Sequence, residues 1–105
     1  MSDRIRKINE LIRELAATSI SENMPKNYLA TVIGVETSRD LKHATVWVSV
    51  INDESGFWRE FNAVKNNIRH DITSKMYTKY TPLIEFKPDH SGEYAQNIER
   101  LLNEK

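Results

Sequence analysis

The sequence contains no cysteine. This excludes a disulfide framework and a thiolate zinc site, and it fits a reducing compartment. Glycine is almost as scarce. Gly34, Gly56 and Gly92 stand isolated from one another. No phosphate-binding loop, no dinucleotide fingerprint and no GxxG clamp for single-stranded nucleic acid can be built from them. His43, His70 and His90 fall in three different segments, without the i, i+4 spacing of a helical metal site. No serine sits in a nucleophile-elbow motif. The paired carboxylates Asp53-Glu54 lie in a polar break and read as solvated loop. None of the constellations that catalysis needs is present, so the expectation is a protein that is not an enzyme and carries no cofactor.

Long apolar runs are missing too. No stretch approaches the ~18 residues of a membrane span. The opening Met1-Ser2-Asp3-Arg4-Ile5-Arg6-Lys7-Ile8 places charges where a signal peptide needs its apolar stretch. A cytoplasmic protein with no membrane partner is expected. Net charge is absent as well: 15 Lys and Arg balance 15 Asp and Glu. A neutral chain is unlike the basic domains that coat nucleic acid nonspecifically. The balance is uneven, however. Residues 65–80 hold Lys65, Arg69, Lys75 and Lys79 against Asp71, whereas residues 81–105 are acidic on balance. A basic face and an acidic end are therefore compatible with the neutral total.

What is present is strong periodicity. Ile5, Ile8, Leu11, Ile12 and Leu15 recur at helical spacing over residues 3–17, with Ser2 or Asp3 as the cap. Breakers and turn formers from Ser19 to Asn27, Asn23 among them, gather around Pro25 and are expected to end this helix near Thr18. Residues 28–37 are rich in β-branched side chains and predict a strand, with Leu29, Thr31, Ile33, Val35 and Thr37 on one face. Residues 43–51 predict a second strand. Its Ala44, Val46, Val48 and Val50 alternate with His43, Thr45, Trp47 and Ser49, giving one buried and one partly wet face. Ser38-Arg39-Asp40-Leu41 connects the two as a hairpin.

Phe57, Phe61, Val64, Ile68, Ile72 and Met76 make a long stripe from about residue 55 to 77. Asn66-Asn67 interrupts it, and a break there into two shorter helices is expected, because Asn is a mediocre helix former that visits left-handed conformations. Trp47 and Trp58 lie off these stripes, as base-stacking platforms or as half-buried covers of an edge. Pro82 opens a third strand, Leu83-Ile84-Glu85-Phe86. Tyr94, Ile98, Leu101 and Leu102 predict a final short helix. The result is one α+β domain over residues 1–105, a three-stranded mixed sheet with helices on one face and the third strand reached by a helical crossover.

Four segments in order along the chain resemble the ribosome-binding factor A family. Glu36-Thr37-Ser38-Arg39-Asp40-Leu41-Lys42-His43-Ala44-Thr45-Val46-Trp47-Val48-Ser49-Val50 is similar to its hairpin signature, which typically reads V-S-x-D-L-x-x-A-x-V-x-V-S. The helix Arg6 to Ala16, the segment Tyr80-Thr81-Pro82-Leu83-Ile84-Glu85-Phe86, and Asp89-His90-Ser91 with Ile98 and Leu101-Leu102 match the family's other parts. The resemblance implies a type II KH-like fold, order α-β-β-α-(kink)-α-β plus a short C-terminal helix. It also implies a non-catalytic, monomeric assembly factor for the small ribosomal subunit. Such a factor binds the immature form preferentially, together with small-subunit rRNA, and assists late maturation and rRNA processing, often in the cold. The alternative is a KH-like protein–protein adaptor without RNA binding.

The cations expected to meet RNA phosphates fall in three places: Arg4, Arg6, Lys7 and Arg13 on the first helix, Arg39 and Lys42 in the hairpin, and Lys65, Arg69, Lys75 and Lys79 along the second stripe. Asn66 joins this candidate site because the family's small-x-Gly kink aligns with Val64-Lys65-Asn66. Many family members also carry a charged C-terminal extension, and the sequence given ends at Lys105.

Overall fold

The computed structural model describes residues 2–91. The predicted C-terminal helix lies outside them. The described elements run α1 (Asp3–Asn23), β1 (Ala30–Thr37), β2 (His43–Val50), α2 (Glu54–Ser74) and β3 (Leu83–Pro88).

Helix α1 starts where the Ser2 hydroxyl accepts a hydrogen bond from Ile5 N at 3.2 Å, which satisfies one of the open amides of the first turn. It runs one and a half turns past the expected end at Thr18. Ile20 and Met24 prolong the buried stripe of Ile8, Ile12 and Ala16, so continuing the helix keeps apolar surface out of water. Ser19 and Asn23, read as breakers, are instead bonded across the helix pair to Asp71. The helix ends at Asn23, two residues before Pro25. Met24 is extended there (φ −109°, ψ 149°), the conformation that a following proline favours.

The sheet order is β1-β2-β3, with β1 antiparallel and β3 parallel to β2. The alternation read for β2 holds: Ala44, Val46, Val48 and Val50 are buried. The reading of β1 as one continuous face does not. A bulge between Val32 and Gly34 inserts Ile33, and the faces exchange there. Ala30 and Val32 lie opposite Val50 and Val48, and Val35 lies opposite Val46 beyond the bulge. Leu29 and Ile33 are left exposed.

Helix α2 corrects a third expectation. It is one helix of 21 residues through Lys65, Asn66 and Asn67, not two. Positive φ occurs among the non-glycine residues only at Leu41 and Asp53 within residues 2–91, so Asn66 is not left-handed. The reason is one of magnitude. Asn costs about 0.7 kcal/mol relative to Ala inside a helix. Burying Phe61, Ile68 and Ile72 on one stripe gives roughly 1.5–3 kcal/mol for each side chain. Phe57, Trp58, Phe61 and Phe86 interlock through edge and stacked contacts at centroid distances of 4.9 to 5.7 Å, closing the core between α2 and β3. Trp58 therefore belongs to packing. Trp47 lies on the open face of the sheet, with Lys87 Nζ 5.8 Å from its ring centre.

Candidate nucleic-acid interface

The topology gathers three connections at one end of the molecule: the start of α1, the β1–β2 hairpin, and the segment from α2 to β3. Backbone bonds set the spacing. Ser38 N donates to His43 O at 2.8 Å, closing the hairpin, and Leu83 N donates to Lys42 O at 2.8 Å, docking the start of β3 against it. Within the hairpin, Leu41 adopts φ 62°, a left-handed conformation that costs a branched side chain roughly 1–2 kcal/mol. The Asp40 carboxylate stabilises this turn. Its Oδ1 accepts from Ser38 Oγ at 2.6 Å and from Lys42 N at 3.0 Å. These bonds, that from Ser38 first and that from Lys42 N second, hold the Asp40 carboxyl below its ordinary range, so it stays ionised.

Between these segments lies a groove of about 560 Å³. Ile8, Leu41, Met76 and Pro82 are among its apolar lining residues, and Arg4, Lys42 and Lys79 bring three cations to it from three separate segments. Asp40 is its one acidic lining residue among those described, and that carboxylate is engaged by the turn. Tyr80 also lines the groove and is 78% exposed. The Thr78 hydroxyl beside it is buried without a hydrogen-bond partner among the described residues.

The other sequence-predicted cations do not converge here. Arg6 is exposed and pairs with Asp3 at 3.5 Å. Lys7 and Arg39 are exposed but do not line the groove. Arg13 lines a second groove of about 410 Å³ with Lys26 and Tyr28, at the opposite end of β1. Lys75 caps the end of α2.

Lys65 and Arg69, among the cations expected to meet RNA phosphates, are half-buried. Arg69 is committed to the fold: Nε donates to Ile84 O of β3 at 2.7 Å, and Nη1 donates to Asn66 Oδ1 at 3.4 Å. Asn66 is exposed on a regular helical turn. Tyr80 is the groove residue that the sequence reading missed. An aromatic beside a lysine just before a proline-led strand was the available signal.

No group of three or more His, Asp or Glu placed to hold a metal ion occurs among the described residues. No described helix is long and apolar enough to cross a membrane. Among the described residues, two helices on one face of a mixed three-stranded sheet, with a cation-rimmed groove at one end, define a small α+β domain of KH-like type. Comparison with known proteins narrows the class. The model of the family Ribosome-binding factor A matches residues 4–102, and the chain belongs to that family.

Curated relatives include ribosome-binding factor A of Trichlorobacter lovleyi, 37% identical over 93% of this chain and 84% of that protein. The Rhodopirellula baltica protein of the same name is 35% identical over 96% of this chain and 77% of that one. Among solved structures, the fold is similar to crystalline ribosome-binding factor A of Thermus thermophilus. The TM-score is 0.70 at 19% identity, covering 83% of this chain and 97% of that one. It is also similar to the homology model of the Thermus protein fitted into the cryo-EM map of its complex with the 30S subunit. There the TM-score is 0.66 at 19% identity, with coverage of 78% and 91%.

Proposed function

We propose that this chain is a single-domain, non-catalytic factor that binds the small ribosomal subunit through small-subunit rRNA. The observation that carries the reading is the convergence of Arg4, Lys42 and Lys79, drawn from three segments, on one groove. Cations placed this way neutralise neighbouring phosphates of a folded strand and release their counterions. The family supports the partner: the Thermus relative is fitted into a complex with its 30S subunit. On this reading the protein acts in the cytoplasm as a monomer. It prefers the immature subunit and assists late maturation and rRNA processing, with greatest need in the cold.

Within the candidate site, Arg4, Lys42 and Lys79 carry the contact. Lys7, Arg39 and Lys75 are exposed outside the groove, and Arg69 serves the fold. Sedimentation with mature and immature small subunits over a salt series tests the reading. Co-sedimentation at low salt, stronger with immature subunits and weakening as salt rises, is expected. Folded protein that stays in the supernatant at low salt with both subunit forms refutes it.

A further inference from the structure

We infer that the groove between α1, the hairpin and the start of β3 seats one unpaired nucleotide of an RNA strand, with its base against Tyr80 and its phosphates among Arg4, Lys42 and Lys79. The inference deepens the proposed function and rests on it for the source of the RNA.

Three observations point to a nucleotide rather than to duplex backbone alone. The first is shape. Duplex phosphates need only an exposed cationic surface, yet here the cations rim a concavity of about 560 Å³. That lies within the range of about 300–1,000 Å³ typical of sites for small organic ligands. The second is the lining. Ile8, Leu41, Met76 and Pro82 offer apolar surface suited to a base and of no use to a phosphate. Leu41 is held there by a left-handed backbone (φ 62°) that Gly or Asn would adopt at less cost. The third is Tyr80. A tyrosine 78% exposed at a groove mouth gains little from packing. Lys79 Nζ lies 5.5 Å from its ring centre, so a cation already accompanies the ring. An aromatic face beside cations is the arrangement that stacks a base while neutralising its phosphate, and it tolerates any base because every base has a π-face.

Fluorescence anisotropy with the full chain tests this. The probes are a short labelled single-stranded oligoribonucleotide without self-complementarity, and the same strand annealed to its complement. The single strand is expected to bind more tightly than the duplex. Tyr80→Ala should weaken single-strand binding about tenfold, the effect of losing one stacked base. Tyr80→Phe should retain it. Tyr77→Ala, at a tyrosine 95% exposed that does not line the groove, should leave it unchanged.

Equal affinity for single strand and duplex overturns the inference, and so does a Tyr80→Ala chain that binds the single strand as before. Small-subunit sedimentation run in parallel separates this failure from that of the broader reading. Subunit association that persists in either case leaves the assembly function standing without the nucleotide subsite. Subunit association absent from the unsubstituted chain removes the assembly function, whatever the oligonucleotides show.

Discussion

Arg69 discriminates between a cation of the fold and a cation of the interface. Its Nε donates to Ile84 O at 2.7 Å, and Ile84 is 1% exposed in the core strand β3. Arg69→Met keeps most of the aliphatic stem and removes the donor. Losing a hydrogen bond made by a charged group costs about 1.5–3 kcal/mol. Arg69 is half-buried, so water can reach the Ile84 carbonyl in the variant and the expected loss is about 1–2 kcal/mol. For a domain of this size each kcal/mol moves the melting midpoint by about 4–8 °C, which gives a fall of roughly 5–15 °C. Circular dichroism melting measures it. Subunit sedimentation, run well below both midpoints, should show the same affinity and salt dependence for the variant as for the native chain. An unchanged midpoint with weakened subunit association refutes the assignment and places Arg69 at the RNA.

Asn66→Gly should lower stability by about 0.3 kcal/mol, since Gly is the poorer residue inside a regular helix; a gain, measured by urea denaturation, would mean that Asn66 is left-handed after all. Gly56→Ala would drive a Cβ into the Asp53 carboxylate that caps α2 by accepting from Gly56 N at 3.2 Å. Loss of the cap, about 1 kcal/mol, should cancel the gain of about 1 kcal/mol that Ala otherwise brings to a helix, and a melting midpoint raised by several degrees would count against that geometry. Asp71 accepts from Asn23 and from Ser19, and these bonds, Asn23 first, hold its carboxyl below the ordinary range. The unfolded chain lacks them and its pKa returns to about 3.9. A depressed folded value contributes stability that is complete above the unfolded pKa and is lost as pH falls through the folded one. Asn23→Ala should therefore be less stable than the native chain near neutral pH, with the gap narrowing below about pH 4; a gap independent of pH would refute the linkage.

The periodic elements were legible because local burial determines them. The alternation in β2 and the stripes of α1 and α2 are read from side chains that lie within one or two turns of each other. The bulge at Ile33 was not, since it depends on which residues of β2 stand opposite. The end of α1 was misplaced for the same reason. Ser19 and Asn23 read as breakers until their partner is known, and Asp71 lies 52 and 48 residues away. Asn66 misled in the other direction, because a local preference of under 1 kcal/mol was weighed without the three buried neighbours on its helix. The candidate site was legible as a set of cations but not as an arrangement. Nothing in the sequence says that Arg69 is bound to a carbonyl of β3 while Lys79 is free to face a groove.

That distinction has a measurable consequence at the level of the whole interface. On the proposed function, RNA association draws on the few cations that converge and not on all ten named from the sequence. The slope of log affinity against log salt counts them, at about −0.7 to −0.9 per phosphate neutralised. Engagement of Arg4, Lys42 and Lys79 gives a slope of about −2 to −3, whereas all ten would give about −7 to −9. Lys42→Ala and Lys79→Ala should each reduce the slope by just under 1 and leave the melting midpoint unmoved, since both side chains are exposed. Arg13→Ala, at the opposite end of β1, should leave the slope unchanged. A native slope steeper than about −5 would place the RNA across a much larger face than the groove, and the cations outside the groove would belong to the interface.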